Sequence, residues 1–497
     1  MKSRIINRKE LTDHGNIEGR KLMAEIMDAG LCAADPYFNS KKLVRIEDNK
    51  LIFDGPDFEA ENDPYSGVTV FDLEKIDRIY VFAIGKGIQR IAKALEEILG
   101  DRLTGGHVLA KHGDDPIMEK LEVTFGGHPV PDEYCVEGCQ KIVTKIREAK
   151  LTERDLVITV VGNGVSSLCT LPAEGLSLDD VKETTRLMQI EYGIQTGELN
   201  QIRNSVDQLK GGRITRLLKP AQMIHLLGVP VTVNNSPGYT GYEGLLRKNR
   251  WLHTLCDETT AKDALDVIRR YDTENKMPRS IIEYLENFDP DNAVMSYDEF
   301  TKMDCRIFGL MPEHLDTISV AMEKAEELGF NSYLLTRNHE SEASQAGRLI
   351  GSIAAFNAKE DGIFKLPCAL FSTGEMRVTC GKDPGIGGRN QEFCLSAARL
   401  IKGSRRVVMA SCDTDGTDGP GGDFHPDATK RGIRNLAGGI VDGYTFDEIA
   451  EHGINIEAQL DRHASSYPLW EIGAGVATTQ NISINDLTCT LIFDRDL

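Results

Sequence analysis

No apolar window in the sequence approaches the roughly 20 residues that a membrane-spanning helix needs, so no helical membrane span is expected. The opening segment MKSRIINRKELTDHG lacks the apolar core of a signal peptide, and the expected location is the cytosol. Paired cysteines are missing too: eleven are scattered singly, and Cys135 and Cys139, the nearest to a cluster, have no second pair in reach. Zinc is not expected, and the thiols read as reduced core residues. There is no GxxxxGK[ST] and no GxGxxG with a trailing acid, which removes a Walker loop and a nicotinamide-dinucleotide fingerprint. Internal repeats, low-complexity tracts and heptads are likewise lacking.

Positive charge is in short supply. Lysine and arginine number 57 against 77 aspartates and glutamates, a net charge of −20. Such a surface repels phosphate backbones and anionic lipid, and no local basic patch offsets it, so neither nucleic acid nor membrane is an expected partner.

What is present is an alternation of strand-length apolar runs with helical patterns, the mark of an α/β fold with largely parallel sheets. At 497 residues the chain exceeds one comfortable core, so two or three domains are expected. Buried strands are predicted at 79–85, 156–162, 223–233, 332–337, 368–374, 406–411 and 487–493. Helices are predicted at 135–149, 177–197, 258–271, 315–328 and 340–357, with Ser177 and Asp180 as a capping box. The polar stretch 275–300 reads as the domain boundary, and 50–71 as an exposed segment.

Ligands of open α/β sheets bind beyond the carboxyl ends of the strands, so the loops there carry the functional reading. Gly85, Lys86, Gly87 is either an anion clamp at a helix start or a tight turn. In GGHPVPDE (126–133), His128 could donate to an oxyanion or serve structure alone. Gly162–Ser167, with Asn163, Ser166 and Ser167, is a weak-pattern anion cradle. In GKDPGIGGRNQEF (381–393), Arg389 and Asn390 at a helix mouth suit phosphate oxygens. Finally Asp413, Asp415 and Asp418, with Gly416, crowd a strand end, where they would hold Mg²⁺ or form Asx turns. Together these loops compose a phosphoryl-transfer kit.

VFAIGKGIQRIAKALEE, GGHPVPDE, LNQIRNSVDQLKGGRI, GGRNQE, DTDGTDG and INDLTCTLIF stand in an order that resembles the type II glycerate 2-kinase family, from about residue 20 onward. The resemblance implies a two-domain α/β fold with Rossmann-like sheets: a glycerate-kinase domain at 1–290, and a second domain at 291–497 containing the MOFRL region from about 368 to 493. An active-site crevice between the domains is implied, with transfer from ATP and Mg²⁺ to a hydroxyl of glycerate. Lys86 and Arg389 match the family's catalytic lysine and arginine, Glu375 its strand glutamate, and Lys210 to Arg213 its KGGR segment.

The loops depart from the pattern. SGGGSALL has become GNGVSS, RKHLS has become Arg203-Asn204-Ser205-Val206-Asp207, and NDSY has become Ala464-Ser465-Ser466-Tyr467. Aspartates are lost from 228–244, and TGTNVND is now QNISIND (480–486). The expected protein is therefore a kinase with ATP and Mg²⁺ and a diverged small hydroxy-acid acceptor, fixed by Asn163, Ser166, Ser167, Arg203 and His128. Glu375, Asn390, Asp413, Asp415, Gly416 and Asp418 would serve the nucleotide. A homodimer is left open. The alternatives are a nucleotide- or metabolite-binding protein that has lost turnover, and a lyase, isomerase or reductase on the same scaffold.

Overall fold

A computed structural model describes residues 3–33, 35–231, 240–312, 316–359, 362–380, 385–419, 426–479 and 485–497. Two compact units result: a central unit of residues 36–312, and a terminal unit that joins residues 1–35 to 313–497.

The central unit begins with an antiparallel sheet, β1 (Val44–Glu47), β2 (Lys50–Phe53) and β3 (Thr69–Asp72). This corrects the reading of 50–71 as an exposed segment for its first half, where Leu51, Phe53 and Phe58 are buried in the core, while Pro64 to Val68 are exposed. The main sheet contains β4 (Arg78–Ile84), β5 (Leu103–Lys111), β6 (Glu122–Gly126), β7 (Asp155–Val161), β8 (Gln222–Leu227) and β9 (Cys305–Gly309), in the order β6-β5-β4-β7-β8-β9. Every pairing is parallel. Counted within the sheet this is 3-2-1-4-5-6, the doubly wound arrangement.

Helices cover both faces. Ile91, Ala92 and Leu95 of the helix Gln89–Leu99 join Ile79, Val81 and Ile158 in one apolar layer. Cys139, Ile142 and Ile146 of the helix Glu133–Ala149 join Phe82, Val157 and Val161 in the other. With both faces covered, β7 is buried at every position, which is why its sequence runs apolar without alternation.

The predicted helix 177–197 is shorter. Ser177 and Asp180 form the capping box, and the helix Leu178–Thr185 widens through Arg186–Glu191, where Tyr192 N–H bonds back five residues to Leu187. Helix resumes over Thr196–Ser205.

The terminal unit holds β10 (Asn331–Thr336), β11 (Cys368–Gly374), β12 (Val407–Asp413), β13 (Gly438–Asp442), β14 (Gly475–Val476) and β15 (Asp486–Ile492), in the order β10-β11-β15-β12-β13-β14. Only β10 and β11 are parallel; the other pairings are antiparallel. The expectation of largely parallel sheets thus holds for the central unit and not here. The last strand, β15, enters the middle of the sheet against both neighbours, and β13 runs against β12 and β14 as well.

The chain divides differently from the expected 1–290 and 291–497. Residues 275–300 carry the helices Arg279–Glu286 and Tyr297–Phe300 inside the central unit. The amino-terminal helix Ile17–Ala33 belongs with the terminal unit because Met23, Ile26, Met27 and Leu31 bury against Ile318, Ala321, Val408 and Leu487. At Gly30 a β-carbon would lie 2.6 Å from the Thr317 carbonyl, so the helix approach requires glycine. Arg20, fully buried, pairs with the equally buried Asp442 at 2.5 Å. No helix among the described residues is long and apolar enough to cross a membrane.

Candidate functional site

The strand order of the central unit reverses between β4 and β7, and the two loops leaving them are Gly85-Lys86-Gly87 and Gly162–Ser167. They are tied together: Lys86 N–H donates to the Asn163 carbonyl at 2.7 Å. Gly164 opens the short helix Val165–Leu168 with φ +73. A β-carbon on it would lie 2.7 Å from Lys86 Cγ and 3.1 Å from His128 Cδ2. Glycine is needed here twice over, for the left-handed backbone and for the two side chains that close over it. Lys86 and His128, from loops about 40 residues apart, therefore both pack against Gly164.

Behind this loop the hydroxyls are engaged. Ser167 Oγ donates to the Gly127 carbonyl at 3.0 Å, which makes it a brace for the GGHPVPDE loop. Ser166 Oγ accepts from Asn200 Nδ2 at 3.0 Å and lies 3.2 Å from His253 Nε2. One helical turn past Asn200, Arg203 is buried and donates to Gln189 Oε1 at 3.0 Å and Thr185 Oγ1 at 3.5 Å, both neutral. Burial lowers its guanidinium to about 10, and among the described residues no carboxylate pairs with it.

Lys210 and Arg213 of the KGGR segment are scaffold. Lys210 is buried on Asp207 at 2.7 Å, and Arg213 donates to the carbonyls of Asn204, Lys210 and Asn292. Asp207, where the family pattern differs, is the counter-ion that lets that lysine be buried.

The terminal unit carries a second cluster at the start of the helix Arg389–Ala398. Arg389 Nε contacts Asp486 at 2.8 and 3.0 Å, Nη2 contacts Asp413 at 2.9 Å, and Nη1 lies 3.5 Å from the exposed Glu375. Burial alone would lower the guanidinium, but Asp486 and Asp413 more than offset it. Asp418, fully buried, accepts the backbone N–H of Asn390 at 3.2 Å and of Gln391 at 2.9 Å, capping the helix. Burial pushes its carboxyl up to about 6, against the pull of Arg389 and the Gln391 N–H. Asn390 Nδ2 bridges Asp418 and Asp486 while its Oδ1 accepts from Ser411. Ser466 donates to Gln391 Oε1 at 2.5 Å, so the altered Ala464–Tyr467 stretch still supports the helix start.

Sequence comparison matches two known families: a domain of unknown function, DUF4147, over residues 22–232, and the MOFRL family over residues 368–485. Glycerate 2-kinase of Pyrococcus horikoshii is 30% identical over 96% of this chain and 98% of its own length. D-glycerate 2-kinase of Thermotoga maritima is 32% identical over 84% of this chain and 91% of its own length. The crystal structure of a Thermotoga maritima glycerate kinase superposes with a TM-score of 0.68 at 28% identity, covering 95% of this chain and 99% of that one. The chain belongs to the glycerate 2-kinase family.

Within that family the chain's own geometry corrects several expectations. Among the described residues no three His, Cys, Asp or Glu side chains are grouped to hold an ion, and Asp413, Asp415 and Asp418 bond to groups of the protein itself. Asp418 is spent on the helix cap, Asp413 on Arg389 and the Asp415 N–H, and Asp415 on the N–H of Thr417 in an Asx turn. Gly416 turns the backbone there at φ +88. Cys380 is exposed rather than a core thiol.

Asp486, Asn200 and His253 are functional candidates that sequence reasoning missed. Asp486 stood at the end of the altered QNISIND stretch and Asn200 inside a quoted motif, whereas His253 in RWLHTLCDE gave no signal. Residues 232–239, 381–384, 420–425 and 480–484, which include much of the departing loop sequence, lie outside the described residues.

Proposed function

We propose that this protein is an ATP-dependent kinase that transfers the γ-phosphoryl group to a hydroxyl of a small hydroxy-carboxylic acid of the glycerate class. The observation that carries the reading is the meeting of Lys86 and His128 over Gly164 at the switch point of a doubly wound sheet, with an unneutralised Arg203 in the same unit. The names of the relatives supply the donor and acceptor class. Lys86, half-buried on a glycine loop, supplies positive charge for the oxygens of the transferred group, while His128 packs against the same glycine. Arg389 is held in one orientation by Asp413 and Asp486, so a phosphate oxygen reaching it meets a preset donor fork. Asn390, Asp415, Gly416 and Glu375 surround that arginine within the terminal unit and are assigned to the nucleotide; within the central unit Ser167 braces the GGHPVPDE loop.

Mg²⁺ accompanies ATP in this reading and would screen its phosphates. The described residues do not group three carboxylate, imidazole or thiol side chains as a ligand set for it. The eleven free thiols favour a reducing compartment, and the cytosol is proposed on that ground.

The test is ADP release by purified protein with ATP, Mg²⁺ and a panel of hydroxy acids. Turnover is expected with at least one acid. Lys86→Ala and Arg389→Lys should each lower it by about 100-fold or more, on the order of 3 kcal/mol of transition-state stabilisation. ADP release no higher than without acceptor, across the panel, overturns the assignment. A loss under threefold removes that residue from the mechanism.

A further inference from the structure

Asn200 and Arg203 lie one turn apart on the helix Thr196–Ser205, so their side chains leave the same side. Opposite Asn200 stands His253, whose backbone carbonyl is fixed by the Gly212 N–H at 3.0 Å. All three side chains are at least nine-tenths buried, at 0%, 5% and 1% exposure. Each has bonding capacity that the described residues do not satisfy. Asn200 Oδ1 and His253 Nδ1 are buried without a hydrogen-bond partner, and Arg203 has neutral oxygens for company and no carboxylate.

The shared serine fixes the direction of these groups. Asn200 Nδ2 donates into Ser166 Oγ, and a serine hydrogen passed on to His253 Nε2 would place the imidazole proton on Nδ1. Burial and the nearby Lys210, Arg203 and Arg213 keep that imidazole neutral. The neighbourhood thus presents a cation lacking an anion, an N–H lacking an acceptor and an amide oxygen lacking a donor. Unsatisfied buried groups of this kind are costly unless a ligand completes them.

We propose that Arg203, His253 and Asn200 form the subsite for the carboxylate and 2-hydroxyl of the acceptor: the carboxylate takes Arg203 and His253 Nδ1–H, and the hydroxyl donates to Asn200 Oδ1. This rests on the kinase reading for its substrate and deepens it. The site selects 2-hydroxy acids over polyols, because a polyol would leave Arg203 unneutralised. Ser166 is a positioning residue that sets the His253 tautomer.

Calorimetry without nucleotide tests this, with D-glycerate, glycerol, propionate and inorganic phosphate as probes. D-glycerate should bind and glycerol should not. Arg203→Gln should weaken D-glycerate by about 10- to 100-fold, while unfolding at the same or a higher temperature, because it removes a buried charge without a counter-ion. An arginine held for structure alone would lower that temperature. Asn200→Ala should cost D-glycerate about 5- to 10-fold and leave propionate unchanged.

The subsite is overturned if Arg203→Gln binds D-glycerate like the parent, if glycerol binds equally well, or if phosphate alone binds. Turnover with an unchanged KM in Arg203→Gln sinks the subsite and leaves the kinase reading standing. Binding that Arg203→Gln abolishes in a protein without turnover does the reverse.

Discussion

Both units bury ion pairs, Lys210 with Asp207 among them in the central unit, but the central unit adds buried groups that stay neutral or unpaired. In the central unit the sheet interior holds neutral histidines, His107 on β5 and His225 on β8, and the candidate site adds His253 and a lone Arg203. In the terminal unit the buried charges come in pairs, Arg20 with Asp442 and Arg389 with Asp413 and Asp486. The difference separates both stability and ligand preference. The central site has positive charge to spare and invites an anion. Around Arg389 the carboxylates outnumber the cation, so that cluster fixes an orientation before it attracts charge.

Acid should separate the units most strongly. An unfolded histidine takes a proton below about pH 6.5, whereas burial keeps His225 neutral to about 3 and His107 to about 4. Their contribution is complete above about 6.5 and falls as pH drops, by about 1.4 kcal/mol per pH unit for each, or roughly 5 kcal/mol for the two by pH 4.5. His339 in the terminal unit shifts the same way. Opposing it there, Asp418 at about 6 binds its proton before the unfolded chain does, so acidification toward 4 favours the folded unit. Burial would raise Asp442, but Arg20 holds it below the usual carboxylate value, so that pair persists until pH falls through the lowered value. Each unit has one of the two tryptophans, Trp251 and Trp470. In single-tryptophan variants the Trp251 signal should be lost at the higher pH; coincident transitions would break the comparison.

A charge deletion sharpens the other side. Arg20→Ala leaves Asp442 buried and uncompensated, and should cost about 3–5 kcal/mol. Urea unfolding followed at Trp470 measures it. Replacing both partners, Arg20→Met with Asp442→Leu, should restore much of the loss. If Arg20→Ala costs less than about 1 kcal/mol, the buried pair does not hold the amino-terminal helix to its unit.

Much of this architecture could be read from the chain. The uninterrupted apolar run of β7 forecast a strand buried on both faces, and the Ser177–Asp180 box marked its helix start to the residue. The glycine loops and Lys86 were legible because close backbone approach leaves glycine as a trace. The terminal sheet's direction was not, since a buried strand has the same composition whether its neighbours run with it or against it. Nor was the placement of Ile17–Ala33, because an amphipathic helix does not name the surface that covers it. Asp418 looked like a metal ligand in DTDGTDG for a similar reason: spacing shows that carboxylates are near each other, and only the fold shows that one is already accepting two helix N–H groups. His253 lies outside any periodic pattern, and its relation to Ser166 spans 87 residues.

The smallest expected effect on stability bears most directly on the switch-point loop. Gly164→Ala places a β-carbon at φ +73, which should cost about 1–2 kcal/mol, and pushes against Lys86 Cγ and His128 Cδ2. Both neighbours are side chains that can swing away, so the backbone should survive while the ammonium moves. Gly175→Ala is the matched control, with φ +89 and open space around the added carbon. Both variants should lose similar stability in thermal unfolding. Only Gly164→Ala should lose turnover, by about 10-fold or more, since a displaced charge loses most of its effect on the transition state. Equal turnover in the two variants would mean that the meeting of Lys86 and His128 over Gly164 is packing without consequence for phosphoryl transfer.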